Sequence, residues 1–309
     1  MSANARTEHL VTPAALEAAL AGARPPVVLD VRWHLADAPG AGHQRYAAGH
    51  LPGARFLDLE AVLTRHTGDP LDGRHPLPDP ATLTSGLALV GVGSNTQVVV
   101  YDEPGSFAAE RAWWVLRWAG VRARVLDGGL PAWVDAGMPV ETGPGPRPAE
   151  PPDQPDPLTT GQLTTLDPDA AAAFPDHGIL VDARAGERFR GEVEPLDPAA
   201  GHIPGAVNAS AATLFTPDGR LPDDDAVRSA LGPAATGDRA VAVYCGSGVS
   251  AARDVLGLAV IGVEAGLFPG SWSAWSNDPQ RPVATGAARA QPGDRPVDNP
   301  VEKRPAEGD

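Results

Sequence analysis

Four segments of the 309-residue chain recur in the same order. Leu29-Asp30-Val31-Arg32 returns as Val181-Asp182-Ala183-Arg184, and Gly49-His50-Leu51-Pro52-Gly53-Ala54 as Gly201-His202-Ile203-Pro204-Gly205-Ala206, both shifted by 152. Val98 to Asp102 answers to Val241 to Cys245 at a shift of 143, and Leu126 to Trp133 to Phe268 to Trp275 at 142. A chain organised this way is a tandem repeat of one domain. Its length also suits two domains of ordinary size better than one.

Each copy alternates strand and helix. In the first, Thr12-Pro13 predicts a helix through Leu20, with a hydroxyl N-cap and proline at the first helical position. Val27–Val31 and Gln97–Tyr101 read as short buried strands. Ala108–Trp118 reads as a helix ending at Gly120, and Arg122–Leu126 as the next strand. The second copy predicts a helix near Pro168–Ala173, strands at Ile179–Asp182 and Ala240–Tyr244, and a helix from about Ser250 to Ile261. The pattern implies an α/β fold of two tandem domains, each a parallel sheet with helices on both faces. Ligands of such sheets sit at the carboxyl ends of the strands. We place the domains at 1–141 and 158–288, joined by a proline-rich linker, 142–157, and followed by a mobile tail, 289–309.

Composition narrows the function. Hydrophobic residues at 42% allow two modest cores, and a formal charge of −15 disfavours nucleic acid or an anionic membrane as a partner. An anionic ligand therefore needs a local cluster of donors. The first ten residues hold no apolar signal-peptide core, and the longest apolar run, Val255–Val263, is too short to span a bilayer, so a cytoplasmic protein is expected. A single cysteine excludes an internal disulfide framework and a cysteine-based zinc site.

The repeat acts as an internal control. Features present in both copies, such as the two Gly-His-x-Pro-Gly turns and the two Asp-x-Arg pairs, read as structural. Cys245 occurs in one copy only, where the other has Asp102. It ends a hydrophobic strand and opens Cys245-Gly246-Ser247-Gly248-Val249-Ser250-Ala251 ahead of a helix. Successive backbone N–H groups in a glycine-rich loop of this kind can converge on an anion, aided by the helix N-terminus. Buried, inert cysteines are common, but they rarely open a glycine-rich turn at a strand's carboxyl end.

The cysteine loop, the doubled Asp-x-Arg and Gly-His-x-Pro-Gly-Ala segments and the one-sided cysteine together resemble the tandem-domain rhodanese and 3-mercaptopyruvate sulfurtransferase family, from about Leu10 to Trp275. The resemblance implies a non-catalytic first domain, a catalytic second domain and a cleft between them. It also implies a ping-pong sulfur transfer with no metal or organic cofactor: a small anionic donor leaves a persulfide on Cys245, and cyanide or a thiol, such as a thioredoxin-like protein, removes it.

By position, Arg188 matches the arginine that binds the donor's anionic end; the first copy has Ala36 there. Gly246, Gly248, Val249 and Ser250 belong to the loop around the sulfur, and Trp33 and Phe107 match aromatic residues walling the cleft. Ser247 stands where mercaptopyruvate-preferring members carry serine and thiosulfate-preferring members lysine. His75 matches a histidine said to act with that serine, with Glu60 or Asp58 behind it. Asp197 departs from the mercaptopyruvate pattern, which has a second arginine there. Arg190 stands two residues beyond Arg188 in the same charged segment. Two other classes are weighed. A cysteine-dependent phosphatase needs Cys-x5-Arg, but Ala251 takes that arginine's place and Arg253 lies two residues on, where a helix turns it away. A non-catalytic binding module would not be expected to keep Cys245, the glycine loop and Arg188 together.

Overall fold

The computed structural model describes residues 2–146 and 157–287, with side chains from residue 5 onward. Most of the expected linker and the whole expected tail lie outside these residues. Among the described residues, nine strands form two all-parallel sheets. The first has the order β1-β5-β4-β2-β3, built from β1 (Leu10–Val11), β2 (Val27–Asp30), β3 (Arg55–Phe56), β4 (Gln97–Tyr101) and β5 (Arg122–Leu126). The second has the order β7-β6-β8-β9, built from β6 (Gly178–Asp182), β7 (Val207–Asn208), β8 (Ala240–Tyr244) and β9 (Ala265–Leu267). Parallel strands need crossovers, so a helix or loop lies between successive strands, and strands buried on both faces read as continuous apolar runs such as Val98–Tyr101.

The expected punctuation is observed. Thr12 Oγ1 accepts the Ala15 amide at the head of helix Pro13–Leu20, and Gly120 adopts φ +79° after helix Ala108–Trp118. Helix Pro168–Ala173 is capped by Asp167, and the last predicted helix runs Ala251–Val260. Helix Ser2–His9 and strand β1 were not foreseen, because eight polar-rich residues and a two-residue strand carry no usable periodicity.

One hydrophobic cluster runs through both halves. Its centre is helix Ala108–Trp118 against helix Ala251–Val260, where Ala112, Trp113, Leu116, Ala252, Val255 and Leu256 are buried. Removing a leucine such as Leu256 from a core of this kind costs about 2–5 kcal/mol. The halves are also laced together by chain crossing. Arg6 pairs with Asp224 and donates to the Leu221 carbonyl, while the Gln162 amide donates to Trp118 of the first half. Among the described residues no helix is long and apolar enough to cross a membrane.

Candidate active site

Strand β8 delivers Cys245 to the carboxyl edge of the second sheet, as β4 delivers Asp102 in the first. The segment after β9 closes around the cysteine's backbone. Ser271 Oγ accepts the Cys245 amide at 3.1 Å and donates to the Phe268 carbonyl at 2.8 Å. The amides of Trp272 and Ser273 donate to the carbonyls of Cys245 and Gly246 at 2.9 and 2.8 Å. Ser271 is the one non-glycine residue with positive φ (54°) among those described; the repeat places Gly129 (φ 57°) at the same point of the first half. The second half thus holds a strained serine where the first holds an unstrained glycine, in return for a hydrogen bond under the cysteine.

The thiol itself is 1% exposed. The Gly248 amide points at Sγ at 3.1 Å, which the loop achieves with Gly248 at φ +77°. A Cβ at Gly248 would stand 2.5 Å from the Pro269 carbonyl, so a side chain there is excluded twice over.

Cys245 opens onto a cavity of about 430 Å³ between the halves. The second half lines it with Gly246, Ser247, Val249, Ser250 and Arg188, the first with Trp33, Phe107 and Arg74. Arg188 is anchored from behind: its Nη2 lies 2.6 Å from Glu194 Oε1 and 3.2 Å from Asp197 Oδ2. Asp197, which stands where the mercaptopyruvate pattern has an arginine, joins Arg188 to Arg74 of the other half. Arg74 was missed by sequence reasoning, because the partner that gives it meaning is 123 residues away.

His75 and Gly248 are not among the cavity-lining residues. Gly248 reaches the sulfur through its amide. His75 is buried, packs edge-on against Trp33 at 5.3 Å, and donates from Nε2 to Glu60 Oε1 at 3.2 Å. Burial works to raise the Glu60 carboxyl, but the His75 hydrogen bond, the charges of His75 and His66 and a hydrogen bond from Trp33 together outweigh it and hold the group below its ordinary range. Asp58 instead caps a short helix by accepting the Glu60 amide. Arg190 is exposed and paired with Glu192, away from the cavity.

A second unforeseen residue is Arg111. Its guanidinium is fully buried and donates to three carbonyls: Gly248 at 3.1 Å, His75 at 3.0 Å and Leu63 at 3.4 Å. Burial lowers its pKa to about 10, so it remains a cation at neutral pH, sustained by Cys245 and Glu60. No sequence pattern distinguishes such an arginine from a solvated one on a helix.

The duplicated features are structural in both halves. Arg32 grips Asp30 at 2.7 Å and the Gly49 carbonyl at 2.6 Å; Arg184 grips Asp182 and the Gly201 carbonyl, both at 2.6 Å. His50 and His202 each donate from Nδ1 to a carbonyl, of Tyr46 and Phe189. Arg253 points away from the sulfur, between the rings of Phe107 and Phe215, and pairs with Glu110 at 2.9 Å. A larger cavity, about 620 Å³, lies at the opposite, amino ends of β8 and β9, away from Cys245.

A buried sulfur at a strand's carboxyl end, an amide aimed at it and three arginines, Arg74, Arg184 and Arg188, lining the same cavity define a site for an anionic, sulfur-directed ligand. The rhodanese-like domain model matches the chain twice, over residues 12–136 and 167–278. The chain is 47% identical over 289 residues to a Mycobacterium tuberculosis protein assigned as the thiosulfate sulfurtransferase SseB, covering 92% of this chain and 99% of that one. It is 46% identical over 269 residues to a Pseudomonas aeruginosa protein assigned as a 3-mercaptopyruvate sulfurtransferase, covering 84% and 92%. The crystal structure of SseA from Escherichia coli, described under the rhodanese fold and the mechanism of 3-mercaptopyruvate-dependent enzymes, superposes with a TM-score of 0.72 at 32% identity, covering 85% of this chain and 98% of that one. The chain therefore belongs to the rhodanese-like family in its tandem-domain form. It is an enzyme, a sulfurtransferase, and so works between a sulfur donor and an acceptor.

Proposed function

We propose that Cys245 carries the sulfur as a persulfide, taken from thiosulfate or 3-mercaptopyruvate and passed to cyanide or to a thiol, including that of a thioredoxin-like protein. The observation that supports this most strongly is the Cys245 sulfur, met by the Gly248 amide at the floor of a cavity that also holds Arg188.

The thiolate attacks the donor's outer sulfur. With thiosulfate, a sulfur–sulfur bond forms as the donor's own sulfur–sulfur bond breaks, and sulfite leaves with the electron pair. With 3-mercaptopyruvate, the carbon–sulfur bond breaks, and the thiol proton ends on the departing carbon to give pyruvate. Arg188 holds the anionic end of the donor, and the loop amides, Gly248 first, stabilise the persulfide. Ser247 lines the cavity beside the cysteine and hydrogen-bonds the leaving group. Trp33 and Phe107 keep water from the bound sulfur. His75, held by Glu60 outside the cavity, acts by seating Trp33 rather than by touching the donor. Cyanide then takes the outer sulfur as thiocyanate and returns the thiolate. The cycle needs no metal or organic cofactor, and its reduced cysteine suits the cytoplasm.

The test is kcat/KM for both donors, side by side, with cyanide as acceptor, in the wild type and in R188A. Transfer from at least one donor in the wild type, falling by about 10- to 100-fold in R188A through loss of a charge-assisted hydrogen bond, is the expected outcome. Unchanged kinetics in R188A would remove that arginine from the site.

A further inference from the structure

Building on the sulfur transfer proposed above, we propose that Arg111 is a positioning residue for the sulfur, although it belongs to the first half and lies outside the donor cavity. It holds the Gly248 carbonyl away from Cys245, so that the loop presents amides and a buried positive charge to the thiolate and to the persulfide.

The direction of each peptide in this loop decides whether it helps or hinders an anion. Gly248 sits at φ +77°, and a glycine leaves both orientations of the neighbouring peptide within reach. Its own amide meets Cys245 Sγ at 3.1 Å, and its carbonyl accepts from Arg111 Nη1 at 3.1 Å. In a trans peptide the C=O and N–H point in opposite directions, so this bond turns the Val249 amide away from Arg111. That amide has no acceptor among the described residues, and Val249 lines the cavity beside the sulfur. A flipped peptide would instead put a carbonyl oxygen, the negative end of its dipole, beside the anion.

The guanidinium is itself fixed. Nη2 donates to the His75 and Leu63 carbonyls at 3.0 and 3.4 Å, and the side chain is fully buried. All three acceptors are main-chain carbonyls, and among the described residues no carboxylate comes within ion-pair distance. A buried cation without such a partner is costly, and the charges that sustain this one are those of Cys245 and Glu60. The reciprocal contact across the interface supplies the contrast. Arg253 of the second half reaches the Ser106 carbonyl of the first at 2.8 Å, but it is paired with Glu110 at 2.9 Å. The half with the nucleophile is thus met by a bare cation, and the half without it by an ion pair. The repeat's shift of 143 puts Asp254 opposite Arg111, so the control that singles out Cys245 singles out this arginine too.

Two measurements on the wild type, R111M and R111K, with a melting curve for each, test this. The first is the rate at which iodoacetamide alkylates Cys245 near neutral pH, which needs no sulfur donor. The second is single-turnover loading from thiosulfate and from 3-mercaptopyruvate over a range of concentrations, read as cyanide-releasable sulfur. R111M should slow alkylation and the saturated loading rate by about 10- to 100-fold, through loss of a hydrogen bond from a charged donor. The half-saturating donor concentration should stay within about threefold, because Arg111 does not touch the donor. R111K keeps the charge but cannot span three carbonyls, so its rates should fall between those of R111M and the wild type; it decides the matter if R111M does not fold. Wild-type rates in a folded Arg111 variant, or a defect confined to the half-saturating concentration, would overturn the assignment. A wild type that loads sulfur from neither donor would instead overturn the function on which it rests, and leave the alkylation rates to judge Arg111.

Discussion

The two halves of this chain share strands, turns and buried Asp–Arg pairs, yet at the carboxyl end of the equivalent central strand one carries Cys245 and the other Asp102. The segment that follows diverges with it. In the second half Ser271 accepts the strain of positive φ to hold the cysteine amide, while in the first Gly129 occupies that conformation freely. Asp102 is buried, and burial, followed by the nearby Glu110 carboxylate, raises its pKa to about 7. The first half has not become idle. It contributes Trp33, Phe107 and Arg74 to the other half's cavity and supplies Arg111 to the carbonyl of Gly248. Duplication let one copy keep the sulfur while the other became its wall and counter-charge.

The same contrast appears at the interface. The shift of 143 that aligns Asp102 with Cys245 also aligns Glu110 with Arg253 and Arg111 with Asp254. Equivalent positions thus carry opposite charges, and Glu110 and Arg253 meet across the boundary as a buried ion pair. Asp254 is fully buried without a hydrogen-bond partner among the described residues, and burial pushes its carboxyl well up.

The largest expected effect breaks the symmetry at the sulfur. C245S should lose turnover by about 1000-fold or more, whereas D102N should stay within about threefold of wild type in a donor–cyanide assay. Comparable losses in both would deny the division of labour. Next comes the interface: R253M should destabilise the protein by about 3–5 kcal/mol in chemical unfolding, by leaving Glu110 buried and unpaired. The double variant E110Q/R253M should recover part of that loss, and strictly additive effects would mean the pair is not coupled.

A smaller effect depends on pH. The raised pKa of Asp102 means that its stabilising contribution is complete below about pH 4, declines as pH rises toward 7, and is absent above it. Replacing it by asparagine should therefore stabilise the protein at pH 8 relative to pH 4.5, by up to about 3 kcal/mol. Equal melting-point differences between D102N and wild type at the two pH values would contradict the assignment. Smallest is S271A, which should cost about 1–3 kcal/mol by leaving the Cys245 amide unpaired in a buried site. No change in unfolding midpoint would show that relief of strain or a water replaces the bond.

Much of the fold was legible because repetition, capping and apolar runs are local. Strands β4, β5 and β8 and helix Ala108–Trp118 follow from their own residues. Cys245 was legible because the repeat supplied its control. What escaped depends on chain segments far apart in sequence. Arg74 and Arg111 look like ordinary arginines until Asp197 and Gly248 arrive from the other half, 123 and 137 residues away. His75 was expected to act with Ser247, and its packing edge-on against Trp33, outside the cavity-lining residues, is likewise a product of tertiary structure. Asp197 looked like a missing clamp, because its sign alone could not reveal that it gathers two arginines.

The most direct test of the central claim is to incubate the protein with each donor, remove the excess, and measure intact and peptide masses before and after cyanide. The account predicts one added sulfur atom, located on Cys245, released stoichiometrically as thiocyanate and absent from C245S. Thiocyanate production by a protein that never holds sulfur on Cys245, or by C245S, would contradict it.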